Sequence, residues 1–404
     1  MYISNKLIDD NLLNPKRPLI FVPGIRTSRL AIRKENGSLE HFWPLMPHEF
    51  LIKAKLDRVF HYLETNIPLK ADDNDNDDDA KVVATSLIPF AYNGLIKSIL
   101  TWGYKPNIDF WIFPYDWRQS NRISGHLLAR FIEEKTEGKC DDGVDIISHS
   151  MGGIIARAAS LNGAPIRRAA YIACPHLGSP LAYFILHPQI DSRRFIGSAY
   201  HNYPSSTYWQ PPNNDTNNNN NNIERRKTLY HRRKKLFVKF PSMYELLPDE
   251  SYLRNRSILL TDGKPESGAE DTYLKNEWAF KEKDMRTGVI NAMEFKRQLG
   301  EELPQLQDVL LVCGTNQLTC DTIHYRTSYH ASITERRPSY LMQQGFSLPY
   351  DSGQGGDGYV PVTSAMASIS GTPAHSNSVF IPEAHTVLSN AKATIEALGR
   401  FLAA

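Results

Sequence analysis

Ser150, Asp357 and His385 occur in the order, and in the local contexts, that nucleophilic acyl transfer requires. Residues 144–153 read VDIISHSMGG, an apolar run, a tight turn, and two glycines that open the segment IIARAAS. This is the strand–turn–helix context of a G-x-S-x-G elbow, with Ser150 as the nucleophile and Ser148 in place of the first glycine. The flanks must be small because the turn is strained and its neighbouring strand and helix approach closely. A helix N-terminus just beyond favours negative charge developing at the reaction centre. The bland alternative is a serine-rich turn that only closes a strand.

An attacking serine needs a base to take its proton and an acid to orient that base. In this arrangement the order is Ser, then Asp or Glu, then His. His385, in EAHTVLSN, follows the apolar run SVFIP at its C-terminal end, the edge at which open α/β sheets bind ligands. His375 precedes the same run and is expected at the opposite edge. Among 13 histidines only His385 combines order and edge. Asp357, within GQGGDGYVPVTSA, is the expected acid: four glycines around one carboxylate describe an exposed, sharply turning loop. Asp116, in FPYDWR, precedes Ser150 and breaks the order, so it reads as structural and paired to Arg118. Two backbone N–H groups must also face the developing oxyanion. Met151, next after the nucleophile, is the first. The second is expected in PLIFVPGIRTSRL (18–30), where Pro23-Gly24 turns the chain and leaves the amide of Ile25 as the donor; a plain strand-ending turn is the alternative.

Positioning these groups takes a sheet. Short apolar runs at Leu19–Val22, Phe110–Phe113, Val144–Ile147, Ala170–Ala173, Val309–Val312 and Val379–Ile381 alternate with amphipathic segments. That alternation predicts an α/β fold with a mostly parallel sheet flanked by helices. Continuous apolarity fits strands covered on both faces. Ile123, Leu127, Leu128, Phe131 and Ile132 mark one helical face, and Ile395, Leu398, Phe401 and Leu402 another.

Composition excludes several classes. A net charge of +2 gives no global field for nucleic acid, so no nucleic-acid partner is expected. Four cysteines in 404 residues are too few for a disulfide scaffold, and Cys313 and Cys320 are expected as reduced thiols. Cys320 and His324 resemble half a zinc site with no second pair, so neither metal nor cofactor is expected. MYISNKLIDDNLLNPKRP has no apolar core of a secretory leader, and no run approaches the roughly 18 apolar residues of a membrane span. A cytoplasmic or peripheral-membrane location is the expectation. Two low-complexity stretches, acidic at 71–80 and Asn-rich at 213–222, cannot bury apolar surface and read as disordered insertions. The second leads into the basic run ERRKTLYHRRKK at 224–235. Such a run is ordinarily a solvated surface; its sharper reading is contact with anionic lipid through 225–235.

Several motifs occur in one order: VPGI, SRL, Trp43-Pro44, PYDWR (114–118), SHSMGG, PHLGSP (175–180), PSMYELLP (241–248), GDGYVPVTSA and EAH. Together they resemble the lecithin:cholesterol acyltransferase family, with lysosomal phospholipase A2 and phospholipid:diacylglycerol acyltransferase, over roughly residues 18–400. The resemblance implies an α/β-hydrolase fold and acyl transfer from a phospholipid or other lipid ester to an alcohol or water. It assigns Ser150, Asp357 and His385 to the triad, and Ile25 and Met151 to the oxyanion hole. It also implies one α/β-hydrolase domain over 15–404 with a lid or cap at 181–240. Unlike many secreted, disulfide-bonded relatives, this chain has no cysteine in its early loop. Two other readings stay open: a soluble carboxylesterase or lipase without transfer, and a lipid-binding protein with a degenerate site.

Overall fold

The computed structural model describes residues 17–44, 53–64, 82–88, 90–136, 142–186, 235–255, 259–261, 264–265, 267–275, 280, 282–300, 303–304, 306–317, 319–328, 339–347, 355–367 and 377–404. In chain order the strands are β1 Leu19–Val22, β2 Ser28–Arg33, β3 Leu39–Trp43, β4 Val82–Leu87, β5 Phe110–Ile112, β6 Val144–His149 and β7 Ile166–Ile172. After them come β8 Leu259–Thr261, β9 Lys264–Pro265, β10 Asp308–Gly314, β11 Thr319–Ser328, β12 Ser339–Ser347 and β13 Ser378–Ile381.

Six of these form the central sheet in the order β13-β10-β7-β6-β1-β5, with every pairing parallel. They correspond to the six apolar runs picked out above: β1 matches its run, β5 ends one residue earlier, β7 starts four residues earlier and ends one earlier, and β6, β10 and β13 extend theirs by one to three residues. Alternate side chains feed two separate cores. Ile20, Val22, Ile146 and Leu311 enter one, while Leu19, Phe21, Ile147 and Val312 enter the other. Helices Asn93–Thr101 and Lys392–Ala403 cover the second core. Helices Asn121–Thr136 and Gly152–Leu161 lie on the first. The fold is α/β, with a mostly parallel sheet flanked by helices.

Two smaller sheets have no counterpart among the expected strands: β3-β2-β4, which is antiparallel, and β12-β11-β8-β9, in which β8 joins β11 in parallel. The first expected helical face is also modified. Leu128 and Ile132 are buried, but so are Asn121, Ser124 and Gly125, while Ile123, Leu127 and Phe131 are half-buried. The helix turns its small residues inward because it packs tightly on helix Gly152–Leu161. A Cβ on Gly125 would come within 2.4 Å of the Ala158 Cβ. In the C-terminal helix Leu398, Phe401 and Leu402 are buried as expected, with Ile395 half-buried.

Cys174 and Cys313 are buried free thiols. The stretches 71–80 and 213–222, the basic run up to Lys234, and His375 lie outside the described residues, as does most of 181–240. Among the described residues no helix is long and apolar enough to cross a membrane, and no cluster of metal-ligating side chains occurs.

Candidate active site

β6 is buried at every position, and its C-terminal end delivers the elbow. Ser150 has φ 55°, a left-handed backbone that costs a non-glycine residue free energy and marks a strained, over-determined turn. Its N–H donates to the Ile172 carbonyl at 2.9 Å, which ties the turn to the end of β7. The two glycines that follow have steric reasons. A Cβ on Gly152 would lie 2.4 Å from the Val22 carbonyl oxygen, and one on Gly153 would lie 2.3 Å from Cys174 Sγ. Helix Gly152–Leu161 therefore starts pressed against the ends of β1 and β7, its N-terminal N–H groups at Ser150.

His385 arrives from the end of β13, as the edge argument requires. Its Nε2 accepts from the Ser150 hydroxyl at 2.9 Å, and its Nδ1–H donates to Asp357 Oδ2 at 2.7 Å. The other carboxylate oxygen of Asp357 accepts the N–H groups of Tyr359 and Val360 at 2.9 and 2.8 Å. Those bonds fix the carboxylate so that Oδ2 is left for the imidazole. The His385 N–H also donates to the Asp357 carbonyl at 2.9 Å, and the Tyr359 ring stacks on the imidazole with centroids 5.0 Å apart. Ser150 and His385 are each 7 % exposed and Asp357 1 %, so the cluster is shielded from bulk water. Asp357 is reached by a detour: the chain leaves β10 at Gly314, runs through β11 and β12, and returns in the glycine-rich loop. Asp116 instead pairs with Arg118 at 2.6 Å, and that buried guanidinium also reaches the Tyr62 carbonyl.

The loop after β1 lies beside the elbow, because Val22 registers with Ser148 in the parallel pair. A Cβ on Gly24 would stand 3.1 Å from the Ser150 Cβ. Ile25, half-buried, follows directly. Among the described residues neither the Ile25 nor the Met151 amide donates a hydrogen bond to another group.

Two residues here were absent from the sequence reading. His149 has its Nδ1 2.9 Å from the Tyr92 hydroxyl and, on the far side of the ring, its Nε2 3.2 Å from the His385 carbonyl oxygen. The Tyr92 oxygen also accepts the Gly24 N–H at 2.8 Å. Burial, reinforced by the neighbouring His385, pushes the His149 pKa down to about 3, and burial pushes Tyr92 up to about 12. Both side chains are thereby neutral. His149 stands inside the elbow motif, which is the signal that could have found it; Tyr92 carries none.

The family model described as lecithin:cholesterol acyltransferase matches residues 81–187, a stretch that contains Ser150 but not Asp357 or His385. Lecithin-cholesterol acyltransferase-like 4 of Arabidopsis thaliana is 29% identical over 168 residues, 37% of this chain and 30% of that protein, so the match spans under a third of the relative's length. A chain from the crystal structure of the Tle4-Tli4 complex superposes with a TM-score of 0.60 at 14% identity, covering 96% of this chain and 97% of that one, a likeness of fold. Over residues 81–187 the chain is thus similar to the lecithin:cholesterol acyltransferase family.

Proposed function

We propose that this protein is a serine-dependent lipid acyltransferase or acyl hydrolase that works through an acyl-enzyme on Ser150. The observation that supports this best is the pair of hydrogen bonds by which His385 bridges Ser150 and Asp357. In this reading Ser150 Oγ attacks the ester carbonyl carbon as its proton passes to His385 Nε2. Asp357 holds the imidazole in the tautomer with a bare Nε2 and stabilises the imidazolium that forms. The amides of Ile25 and Met151 stabilise the oxyanion, and the imidazolium then protonates the departing alkoxide. Water or an acceptor alcohol, activated by His385, releases the acyl group. The two outcomes share the first half-reaction and differ in how well the site excludes water.

The family match favours a lipid ester, such as a phospholipid, over a small soluble ester. Contact with an anionic membrane through 225–235 is part of the same proposal. The test is product analysis with phospholipid vesicles containing a long-chain alcohol. The reading expects new ester, free fatty acid, or both from the wild type and neither from Ser150→Ala. Turnover of short-chain esters without any attack on lipid would favour the soluble carboxylesterase instead.

A further inference from the structure

We infer that Tyr92 and His149 are positioning residues, forming a hydrogen-bonded chain that holds the oxyanion loop and the catalytic base in register across the nucleophile. This rests on the acyl-transfer reading above. The chain runs from the Gly24 N–H to the Tyr92 oxygen at 2.8 Å, from the Tyr92 hydroxyl to His149 Nδ1 at 2.9 Å, and from His149 Nε2–H to the His385 carbonyl at 3.2 Å. Its direction follows from the chemistry. A carbonyl only accepts, so His149 Nε2 must carry the hydrogen. The ring is neutral, so Nδ1 is bare and must accept. Tyr92 then spends its one proton on His149, its other contact to Thr27 Oγ1 being long at 3.4 Å, and its oxygen remains to accept from Gly24.

Each end of the chain grips a backbone that the reaction uses. At the oxyanion end, Tyr92 fixes the Gly24 N–H while Thr27 Oγ–H donates to the Gly24 carbonyl. Because the Gly24–Ile25 peptide is planar, holding its oxygen also fixes the direction of the Ile25 N–H. At the base end, His385 is held at its N–H by Asp357 and at its carbonyl by His149. The middle link is adjacent to Ser150 in sequence, so all three parts are referenced to the elbow. Asn390 anchors the outer link: its Oδ1 accepts the Leu95 N–H and its Nδ2–H donates to the Ala91 carbonyl, joining the Tyr92 segment to the segment after His385. There is no slack for a side chain on Gly24, whose Cβ would lie 3.0 Å from His149 Nδ1 and 3.2 Å from the Tyr92 oxygen.

The experiment compares Tyr92→Phe, His149→Leu, His149→Gln and the Tyr92→Phe/His149→Leu double variant. The readouts are kcat and KM for a p-nitrophenyl ester, labelling rate with a fluorophosphonate, and thermal midpoint. Tyr92→Phe keeps the ring that packs edge-on against Phe21 and removes only the hydroxyl. Misplacing reacting groups by about 1 Å can cost on the order of 10²-fold, so kcat should fall roughly tenfold or more in Tyr92→Phe and His149→Leu, with KM within about twofold. Glutamine presents one acceptor and one donor, so His149→Gln should recover most of the loss. The double variant should be no worse than its worse parent, because one break already parts the chain. Full kcat in Tyr92→Phe and His149→Leu would overturn the proposal, as would a His149→Gln as impaired as His149→Leu. A wild type that labels no better than Ser150→Ala would overturn the acyl-transfer reading itself.

Discussion

Gly314, the last residue of β10, has no room for a side chain because Asp357 stands where it would go. A Cβ there would lie 2.5 Å from the Asp357 Cβ and 3.0 Å from the carbonyl oxygen of Glu383, two residues before the base. The end of one central strand thus backs both Asp357 and the segment that leads to His385. Gly314→Ala should displace Asp357 and lower kcat by an order of magnitude or more. Its stability cost should stay within the roughly 1–3 kcal/mol of core overpacking. Unchanged kcat, measured with the thermal midpoint, would mean that the acid is held elsewhere.

Glu245, in PSMYELLP, is buried at the start of helix Asn121–Thr136. It accepts the Ser120 hydroxyl at 2.5 Å and the Asn121 N–H at 2.6 Å. Burial outweighs those bonds and pushes its pKa from 4.5 to about 7. The folded state therefore favours the protonated carboxyl more than the unfolded state does. That contribution to stability is complete below about pH 4.5 and is lost as pH rises through about 7. Glu245→Gln cannot titrate. The wild-type melting temperature should accordingly fall relative to Glu245→Gln between those pH values; a constant difference would contradict the assignment.

Arg168 and Asp145 form a buried pair at 2.6 Å near the start of β6 and β7, at the sheet edge opposite Ser150. Arg168 also donates to the carbonyls of Phe401 and Leu402, so it closes the C-terminal helix. Arg168→Met should destabilise by about 3–5 kcal/mol, because a buried carboxylate loses its principal partner. The joint change Arg168→Met/Asp145→Leu should recover part of that. Denaturant unfolding tests both, and the folded variants should keep wild-type kcat.

Much of this could be read before any coordinates. Central strands covered on both faces leave continuous apolar runs, so all six were legible, and with them the edge that carries Ser150 and His385. That single inference separated His385 from His375. The strands of the outer sheets were not legible: SRLAIR is buried at four of its six positions, yet Arg29 and Arg33 break its apolar run. The inner face of helix Asn121–Thr136 was misleading for a different reason: close helix packing selects Ser124 and Gly125 over larger apolar groups. Tyr92 and His149 depend on contacts 57 and 68 residues apart in sequence, and nothing local to Tyr92 betrays them.

The basic run offers a test independent of chemistry. Replacing Arg232, Arg233, Lys234 and Lys235 with Gln should weaken binding to anionic vesicles by up to about 1 kcal/mol per charge and flatten its salt dependence. Turnover of a short-chain ester should not change. Equal sedimentation with vesicles at low salt, before and after substitution, would reduce the run to a solvated surface.

The central claim is that Ser150 is the nucleophile, and covalent trapping addresses it most directly. The wild-type protein is treated with a fluorophosphonate, its intact mass measured and the adduct mapped by peptide sequencing, with Ser150→Ala in parallel. The account predicts one adduct per chain, carried by Ser150, and none in the variant. Equal labelling of the two proteins, or an adduct on another residue, would contradict it.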